Sequence, residues 1–217
     1  MRKSGVPALY NRFILPRLIN FAMQRDDATR LRAAYVPRAT GTVLEVGIGS
    51  GLNLPHYAHG IRRLYGIDPS AELLAMADAQ ISSAAFPVDL SRQSAERIQL
   101  ADATVDTVVV TWSLCSIEDP RAALGEIRRV LKPGGRFIFV EHGLAPDADV
   151  QRWQNRLTPV WRRLAGGCHL NRPIADLIRE SGFAIADLKT EYLPGPRPMT
   201  FMYEGIAHAN DSSRTRS

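Results

Sequence analysis

The chain has 217 residues, a length that suits one α/β domain. Of these residues 45% are hydrophobic and 23% are charged, which is typical of a globular protein. Its formal net charge is +5, but the basic residues are scattered and occur only in short pairs, such as Arg62-Arg63, which argues against a nucleic-acid partner. The two cysteines, Cys115 and Cys168, are far apart and have no metal-ligand spacing, so neither a disulfide framework nor a metal site is predicted. No segment reaches the ~18 apolar residues of a membrane span, and we expect a cytoplasmic protein.

The N-terminal segment, residues 1–37, is predicted to be helical. Apolar residues recur at near-helical spacing between Leu9 and Ala22, and Pro16 is expected to begin a second helix. We interpret the segment as a lid over a ligand site, with Tyr10 and Phe13 as candidate substrate contacts. A basic amphipathic segment is also typical of membrane surfaces, so residues 1–25 are a candidate for weak peripheral membrane contact.

The most informative stretch is a short apolar run, Thr42 to Val46, that leads into three alternating glycines, Gly47, Gly49 and Gly51. A dinucleotide fingerprint would need its third glycine at Leu52, and a phosphate-binding P-loop would need a lysine, so both patterns fail. An acid beside the glycine turn, Glu45, suits a cationic ligand. S-adenosylmethionine (SAM) fits, because it carries an ammonium and a sulfonium.

The next predicted strand ends in Asp68, about 20 residues after the glycine turn. An acid at such a strand end is placed to bond ribose hydroxyls. Asp68 is also a suitable N-cap for a helix that starts near Pro69, and the two roles are compatible.

The remaining elements alternate between helix and strand. A helix is predicted over 71–81, a weak strand over 86–89, a strand over 106–111, a helix over 120–131 and a strand over 136–141. Residues 143–168 are expected to form an insertion with two short helical stretches that caps the substrate. A helix over 174–181, a hairpin of strands 183–192 and 200–207, and a disordered tail over 209–217 follow. The pattern predicts an α/β fold: a doubly wound, mostly parallel seven-stranded sheet that ends in an antiparallel hairpin.

Four of these segments resemble the motifs of class I SAM-dependent methyltransferases: residues 43–53, Asp68, the strand 106–111 and the run 130–135, Val-Leu-Lys-Pro-Gly-Gly. The resemblance covers residues 38–208 and implies a Rossmann-like methyltransferase domain that uses SAM and releases S-adenosylhomocysteine. Ser94 stands where the family usually has an aspartate near the adenine. The residues that the resemblance assigns to SAM are Glu45, Gly47, Gly49, Ser50, Gly51, Asn53, Asp68, Pro69, Ser94, Ala95, Glu96, Thr111 and Trp112.

Three shorter runs, 114–117, 139–142 and 167–172, are similar to the microsomal alkyl thiol S-methyltransferases and their bacterial relatives, many of which carry phospholipid-methyltransferase-like labels. The hydrophobic N-terminal anchor of the microsomal enzymes is not recognised, which favours a soluble form. The likeness implies methyl transfer to a small apolar acceptor, with thiols first. Alternatives are N-methylation of phospholipid headgroups at a membrane, O- or C-methylation of a quinone-like or secondary metabolite, and a non-catalytic SAM-binding module.

Candidate catalytic residues follow the strand at 136–141. His142 is a candidate base or thiolate-stabilising group, or a loop histidine that bonds to backbone. Cys168 and His169 are expected at a helix start, where the pKa of a thiol is lowered, and either contact substrate or pack the insertion. Three tryptophans line an apolar pocket or belong to the core: Trp112, Trp153 and Trp161. The oligomeric state is not predicted.

Overall fold

The computed structural model describes residues 9–82 and 84–210, except for the side chains of Asn11 and Arg12. The strands are β1 (Gly41–Val46), β2 (Ile61–Asp68), β3 (Val88–Arg92), β4 (Val105–Thr111), β5 (Leu131–His142), β6 (Phe183–Tyr192) and β7 (Phe201–Ala209). The helices are α1 (Leu15–Ala22), α2 (Asp26–Tyr35), α3 (Ala71–Ile81), α4 (Pro120–Val130), α5 (Ala148–Leu164), α6 (Ile174–Glu180) and α7 (Arg197–Thr200).

The strands form one seven-stranded sheet in the order β3-β2-β1-β4-β5-β7-β6. Strands β1 to β5 are parallel, whereas β7 inserts between β5 and β6 and runs antiparallel to both. The predicted fold class, a mostly parallel doubly wound sheet with an antiparallel C-terminal hairpin, is confirmed. The strand order reverses between β1 and β4, and ligands of such sheets bind at the carboxyl ends of the strands flanking that point.

The centre of the sheet is buried on both faces. Strand β4 contains three consecutive valines, Val108 to Val110, that are fully buried. A strand covered by helices on both sides has such a continuous apolar run instead of alternating polar residues. Helix α4 packs its apolar face on the sheet and begins at Asp119, whose side chain accepts from the backbone N–H groups of Arg121 and Ala122.

Several predicted boundaries are wrong. Residues 143–168 contain one long helix, α5, and not two short ones, since Pro159 lies inside the helix without ending it. The buried side chains of Val150, Gln154 and Thr158 hold that helix on the domain, which offsets the cost of the proline. Strand β3 begins two residues later than predicted. Strand β5 already pairs with β4 at Leu131, and the run 132–135 forms an irregularity in that pairing.

At the N-terminus, a π-helical turn at Tyr10–Ile14 leads directly into α1, and Pro16 lies in the first turn of α1, as predicted. At the C-terminus, β7 extends to Ala209; the predicted tail from residue 211 onward lies outside the described residues, as do residues 1–8. Among the helices that the structure describes, none is both long enough and apolar enough to cross a membrane.

Candidate active site

A cavity of about 540 Å³ lies at the carboxyl ends of β1, β2 and β4, with α1 on its other side. It therefore occupies the place that the reversal of strand order predicts. Twelve of the thirteen residues assigned to SAM by resemblance line it: Glu45, Gly47, Gly49, Ser50, Asn53, Asp68, Pro69, Ser94, Ala95, Glu96, Thr111 and Trp112. Gly51 packs behind the wall, where an added Cβ would lie 3.1 Å from Leu54.

The three glycines of the turn have positive φ angles of 72°, 57° and 80°, which L-residues with side chains rarely adopt. They differ in what surrounds them. A Cβ on Gly47 would overlap the side chain of Ser113, so this glycine is needed for packing. A Cβ on Gly49 would meet only the carbonyl of Gly47, 3.9 Å away. Because Gly49 lines the cavity, its bare backbone leaves room for a ligand to approach closely.

A buried polar network surrounds Glu45 at the end of β1. Glu45 Oε1 accepts from Asn53 Nδ2 at 2.8 Å, and Oε2 accepts from the Tyr57 hydroxyl at 2.8 Å. Asn53 also donates to Thr111 Oγ1 and accepts from Arg32 Nε at 3.1 Å. Burial raises the pKa of Glu45 to about 7, although these hydrogen bonds act in the opposite direction. Glu45 is thus a carboxyl group that titrates near neutral pH inside the cavity.

Asp68 joins the glycine turn to the next helix. Its Oδ2 accepts from Gly49 N at 3.1 Å and its Oδ1 accepts from Ser70 N at 2.8 Å. Burial raises the pKa of Asp68, while the two backbone donors lower it. The predicted helix cap is corrected, because α3 begins at Ala71 and its N-cap is Ser70, which accepts from Leu73 N.

The far end of the cavity is apolar and is built largely by α1. Leu15, Pro16 and Ile19 of α1 line it, together with Met23 directly after the helix. Ile117 and Ala165 are further apolar lining residues. Trp112 also lines the cavity.

Trp112 has a φ angle of 48°, an uncommon backbone conformation for a bulky residue. Such conformations cost about 1–3 kcal/mol and cluster at functional sites, where surrounding contacts enforce them. The guanidinium of Arg32 lies 4.9 Å from the centroid of the Trp112 ring, and Trp112 N donates to the carbonyl of Val140 at 2.8 Å. The tryptophan is therefore held in position from both sides.

The loop after β4 is fixed by Glu141, a fully buried residue near the end of β5. Its carboxylate accepts from three successive backbone N–H groups: Ser113 at 2.7 Å, Leu114 at 3.0 Å and Cys115 at 3.3 Å. Burial raises the pKa of Glu141 well above its ordinary value. Ser113 lines the cavity, so Glu141 positions part of the cavity wall without reaching it.

The predicted catalytic residues lie together behind the loop after β4, outside the walls of the cavity that the described residues form. His142 Nε2 is 3.0 Å from Cys168 Sγ, and both lie beside the buried Cys115. His169 Nδ1 is 3.2 Å from the carbonyl of Cys115. Their catalytic roles stay predictions.

The expectation about the Cys168 thiol is wrong. Cys168 lies in the turn after α5 and not at a helix start, because α6 begins only at Ile174. Its contact with Cys115, together with burial, raises the pKa of Cys168, and the same contact lowers the pKa of Cys115 well below its ordinary value. The contact between the two thiols therefore shifts their pKa values in opposite directions.

Four of the predicted substrate contacts lie outside the cavity walls in the described structure: Tyr10, Phe13, Trp153 and Trp161. Tyr10 donates instead to the carbonyl of Leu164 at 2.9 Å, which ties the N-terminal turn to α5. Trp161 Nε1 donates to Cys168 Sγ at 3.2 Å. Trp153 is 54% exposed.

Sequence reasoning missed three residues that shape the site. Arg32 donates from Nη1 to the carbonyl of Met23 at 2.7 Å and so links the end of α1 to the network around Glu45. Asn20 accepts from the Ser50 hydroxyl at 2.6 Å. Tyr57 bonds to Glu45. All three lie in segments of mixed polarity that contain no motif. In such segments a polar side chain is normally predicted to be exposed to solvent.

Comparison with known proteins agrees with this geometry. Residues 44–139 match the methyltransferase domain family. Human thiol S-methyltransferase TMT1A is 34% identical over 177 residues, which are 80% of this chain and 71% of the human protein. Phosphatidylethanolamine N-methyltransferase of Cereibacter sphaeroides is 35% identical over 125 residues, which are 57% of this chain and 61% of the relative. The chain spans between 64% and 71% of the length of the TMT1 relatives it matches.

A solved SAM-dependent methyltransferase of Thermotoga maritima, a possible histamine N-methyltransferase, has the same fold: the TM-score is 0.62 at 21% identity, over 93% of this chain and 97% of the other. The cavity fits SAM in its own right. It offers open space above the bare backbone of Gly49 and a carboxyl group, Glu45, for a cationic ligand. The chain therefore belongs to the class I SAM-dependent methyltransferases and is an enzyme that uses SAM as its cofactor.

Proposed function

We propose that this methyltransferase S-methylates a small apolar thiol. The observation that carries the proposal is the apolar part of the cavity wall, to which α1 contributes Leu15, Pro16 and Ile19, and Met23 follows directly after the helix. No histidine lines the cavity among the described residues. A thiol needs no strong base, because a few per cent of it is already thiolate at neutral pH, whereas an alcohol needs a positioned one. The TMT1 relatives support the same acceptor class.

Four carboxyl groups line the cavity in the described structure, and three of them accept hydrogen bonds from the protein. Glu45 and Asp68 accept hydrogen bonds from the protein, and Glu96 Oε1 accepts from Asp119 N at 2.8 Å. Trp112 is the one aromatic side chain among the described lining residues, and the Arg32 guanidinium already lies against it. An aromatic cage for the ammonium of a lipid headgroup is therefore not formed by these residues.

Catalysis is expected to come mainly from positioning and from excluding water. Holding two reactants in the reacting geometry supplies ~7–11 kcal/mol of the barrier. When bound, SAM would supply the methyl group for in-line displacement by the acceptor thiolate, and Glu45, Asp68 and the bare backbone of Gly49 would hold it. Trp112, held in its strained conformation, and the apolar residues of α1 would orient the acceptor and exclude water. The acceptor's proton passes to solvent when the thiolate forms, before methyl transfer.

The test is release of S-adenosylhomocysteine by the purified full-length chain with SAM and each of two acceptors, a short alkyl thiol and phosphatidylethanolamine liposomes. Turnover with the thiol and none with the liposomes is expected. Turnover with liposomes alone would show that the methyl acceptor is the headgroup amine of a phospholipid and not a thiol. SAM binding without turnover on either acceptor would refute the thiol proposal and favour another acceptor or a non-catalytic role.

The pKa of Glu45 predicts a pH dependence of SAM binding. If the carboxylate form faces the ammonium of SAM, the affinity follows the ionised fraction, which for a pKa of about 7 rises from about 0.1 at pH ~6 to about 0.75 at pH ~7.5. We expect the Kd for SAM to fall about eightfold over this range. The Glu45→Gln variant should bind SAM with no such pH dependence, as measured by calorimetry.

Glu204 supplies the matched control for this prediction. Burial also raises its pKa to about 7, but it lies on β7 outside the cavity, so Glu204→Gln should keep the eightfold dependence. A dependence that persists in Glu45→Gln would assign it to another group. The stability of the fold depends on pH in the opposite direction to SAM binding. Because burial favours the neutral form of Glu45 in the folded protein, the free energy of unfolding falls as the pH rises from about 4.5 to about 7.

We also propose that the N-terminal region docks on anionic membranes. An apolar patch of exposed side chains covers the outer side of the N-terminal turn and α1, with Leu9 68%, Leu18 51% and Phe21 78% exposed. Helix α5, which Tyr10 contacts, continues it with exposed Trp153, Val160 and Leu164. The same two helices carry exposed arginines, among them Arg17 on α1, and Arg152, Arg156 and Arg163 on α5. Apolar side chains flanked by arginines are typical of peripheral membrane binding.

Sedimentation with phosphatidylglycerol-containing vesicles tests the docking. The double variant Leu18→Glu/Phe21→Glu should bind at least about tenfold more weakly, since each buried apolar side chain contributes about 1.5–3 kcal/mol. Leu188→Glu is the control, because Leu188 is 38% exposed on β6 and outside the patch. Equal binding of both variants, or no binding by the unmodified chain, would rule the docking out.

A further inference from the structure

Three segments that are distant in sequence bring sulfur and nitrogen ligands together behind the cavity. Cys115 belongs to the loop after β4, His142 ends β5, and Cys168 lies in the turn after α5. Their ligand atoms all lie within 4.8 Å of one another, and His142 Nε2 is 3.0 Å from Cys168 Sγ. Of the groups in the described structure, this is the one with three metal-ligating side chains at such a distance.

The donor set selects the kind of ion. Two thiolates and one imidazole are soft or borderline ligands, which favour d¹⁰ ions such as Zn²⁺ over Mg²⁺ or Ca²⁺. Tetrahedral zinc with bonds of about 2.3 Å to sulfur and 2.0–2.1 Å to nitrogen needs ligand atoms roughly 3.5–3.8 Å apart. The ligand atoms of the cluster, which lie within 4.8 Å of one another, reach these separations if the side chains move by about 1 Å. The charge also balances, since two thiolates neutralise one divalent ion.

The surroundings hold the ligands in place. Trp161 Nε1 donates to Cys168 Sγ at 3.2 Å, and His169 N donates to the carbonyl of Cys115 at 2.8 Å, which ties the turn after α5 to the loop after β4. Cys115 is itself held through its own N–H by Glu141. Outer-shell contacts of this type orient the ligands of metal sites.

We propose that Cys115, His142 and Cys168 bind one Zn²⁺ ion per chain. Three protein ligands leave the fourth position of a tetrahedral ion open, as in catalytic zinc sites. The ion would fasten the turn after α5 to the ends of β4 and β5. Ser116 and Gly166, which line the cavity, are adjacent to Cys115 and two residues from Cys168, so the ion would also fix that part of the cavity wall.

The experiment uses the full-length chain, reduced and then stripped with a chelator. Titration with Zn²⁺ in competition with a chromophoric chelator should give one ion per chain. Co²⁺ should give the ligand-field bands of a tetrahedral site and a thiolate-to-cobalt charge-transfer band, both displaced by Zn²⁺. SAM binding by the stripped protein shows that it is folded, and this check does not depend on which acceptor is methylated.

Single variants identify the ligands. Cys115→Ser, Cys168→Ser and His142→Ala should each weaken Zn²⁺ binding by more than about 100-fold, because loss of an outer-shell partner alone costs 10–100-fold. His208→Ala is the control: His208 lies on β7, where its Nδ1 is 3.1 Å from the carbonyl oxygen of Gly135, and it is outside the ligand cluster, so its loss should leave the Zn²⁺ affinity unchanged.

Three results would overturn the proposal. One is Zn²⁺ binding of equal affinity in a Cys115→Ser/Cys168→Ser double variant. Another is a folded, reduced chain that binds no Zn²⁺ in competition with the chelator. The third is a cobalt spectrum without the charge-transfer band. If the untreated protein contains a Cys115–Cys168 disulfide and its reduced form binds no Zn²⁺, the cluster is a redox pair instead.

Discussion

Replacing Gly49 by valine should abolish measurable SAM binding. Gly49 has a φ angle of 57° and lines the cavity, and a Cβ there would meet no protein atom closer than 3.9 Å. The side chain would therefore project into space that only a ligand uses, and the β-branched residue would also strain the turn. Asp68 accepts from Gly49 N, so a shift of this backbone would also displace the predicted ribose contact. Calorimetric titration of SAM measures the loss.

Gly134→Val separates strain from loss of ligand space. Gly134 has a φ angle of 74°, is exposed, and also has open space around its Cβ position, but it lies in β5 away from the cavity. Both variants should lose about 1–3 kcal/mol of unfolding free energy from the strained backbone. Only Gly49→Val should lose SAM affinity. Unchanged affinity in Gly49→Val would refute the placement of SAM in this cavity.

Replacing Glu141 by alanine should lower the free energy of unfolding by about 3–5 kcal/mol. The carboxylate accepts from three backbone N–H groups in succession, and a buried donor without its acceptor costs about 1–3 kcal/mol. A domain with a stability of 5–15 kcal/mol would lose a large part of it. Because Ser113 lines the cavity, SAM affinity should fall as well. Urea unfolding monitored by circular dichroism gives the loss of stability.

Glu141→Gln should fall between the parent and the alanine variant. Its carbonyl oxygen can replace Oε1, which accepts from Ser113 and Leu114, whereas its NH₂ group would face the N–H of Cys115. Glu180→Ala removes a carboxylate from an exposed ion pair with Arg121 and should cost no more than about 1 kcal/mol. Equal losses in Glu141→Ala and Glu180→Ala would show that the three hydrogen bonds contribute little to stability.

Local sequence patterns were sufficient to predict which residues line the cavity where SAM is expected to bind. The glycine turn follows directly from β1, and Asp68 ends β2, so their positions depend on short runs whose period and turn residues are explicit. Parallel strands carry such residues to one edge of the sheet whatever their distance in sequence. That is why twelve of the predicted SAM residues line one cavity. Ser94 lies there too, although the usual acid is absent.

Local patterns failed where a contact joins distant segments. The exact extent of α5 was missed because Pro159 ends most helices, and only the buried face of this helix keeps it continuous. From residue type alone, Trp153 and Trp161 are predicted to line the pocket or to belong to the core. Their actual surroundings, solvent for one and a cysteine sulfur for the other, depend on how α5 lies on the domain.

The sequence by itself determined the fold class, the glycine turn and the cofactor, because each is encoded in contiguous residues whose conformation and chemistry are local. Only the tertiary structure decided the apolar wall that α1 contributes, the three amides that Glu141 holds, and the meeting of Cys115, His142 and Cys168. These depend on packing between segments that are 26 or more residues apart, and no spacing along the chain records which side chains such packing brings together.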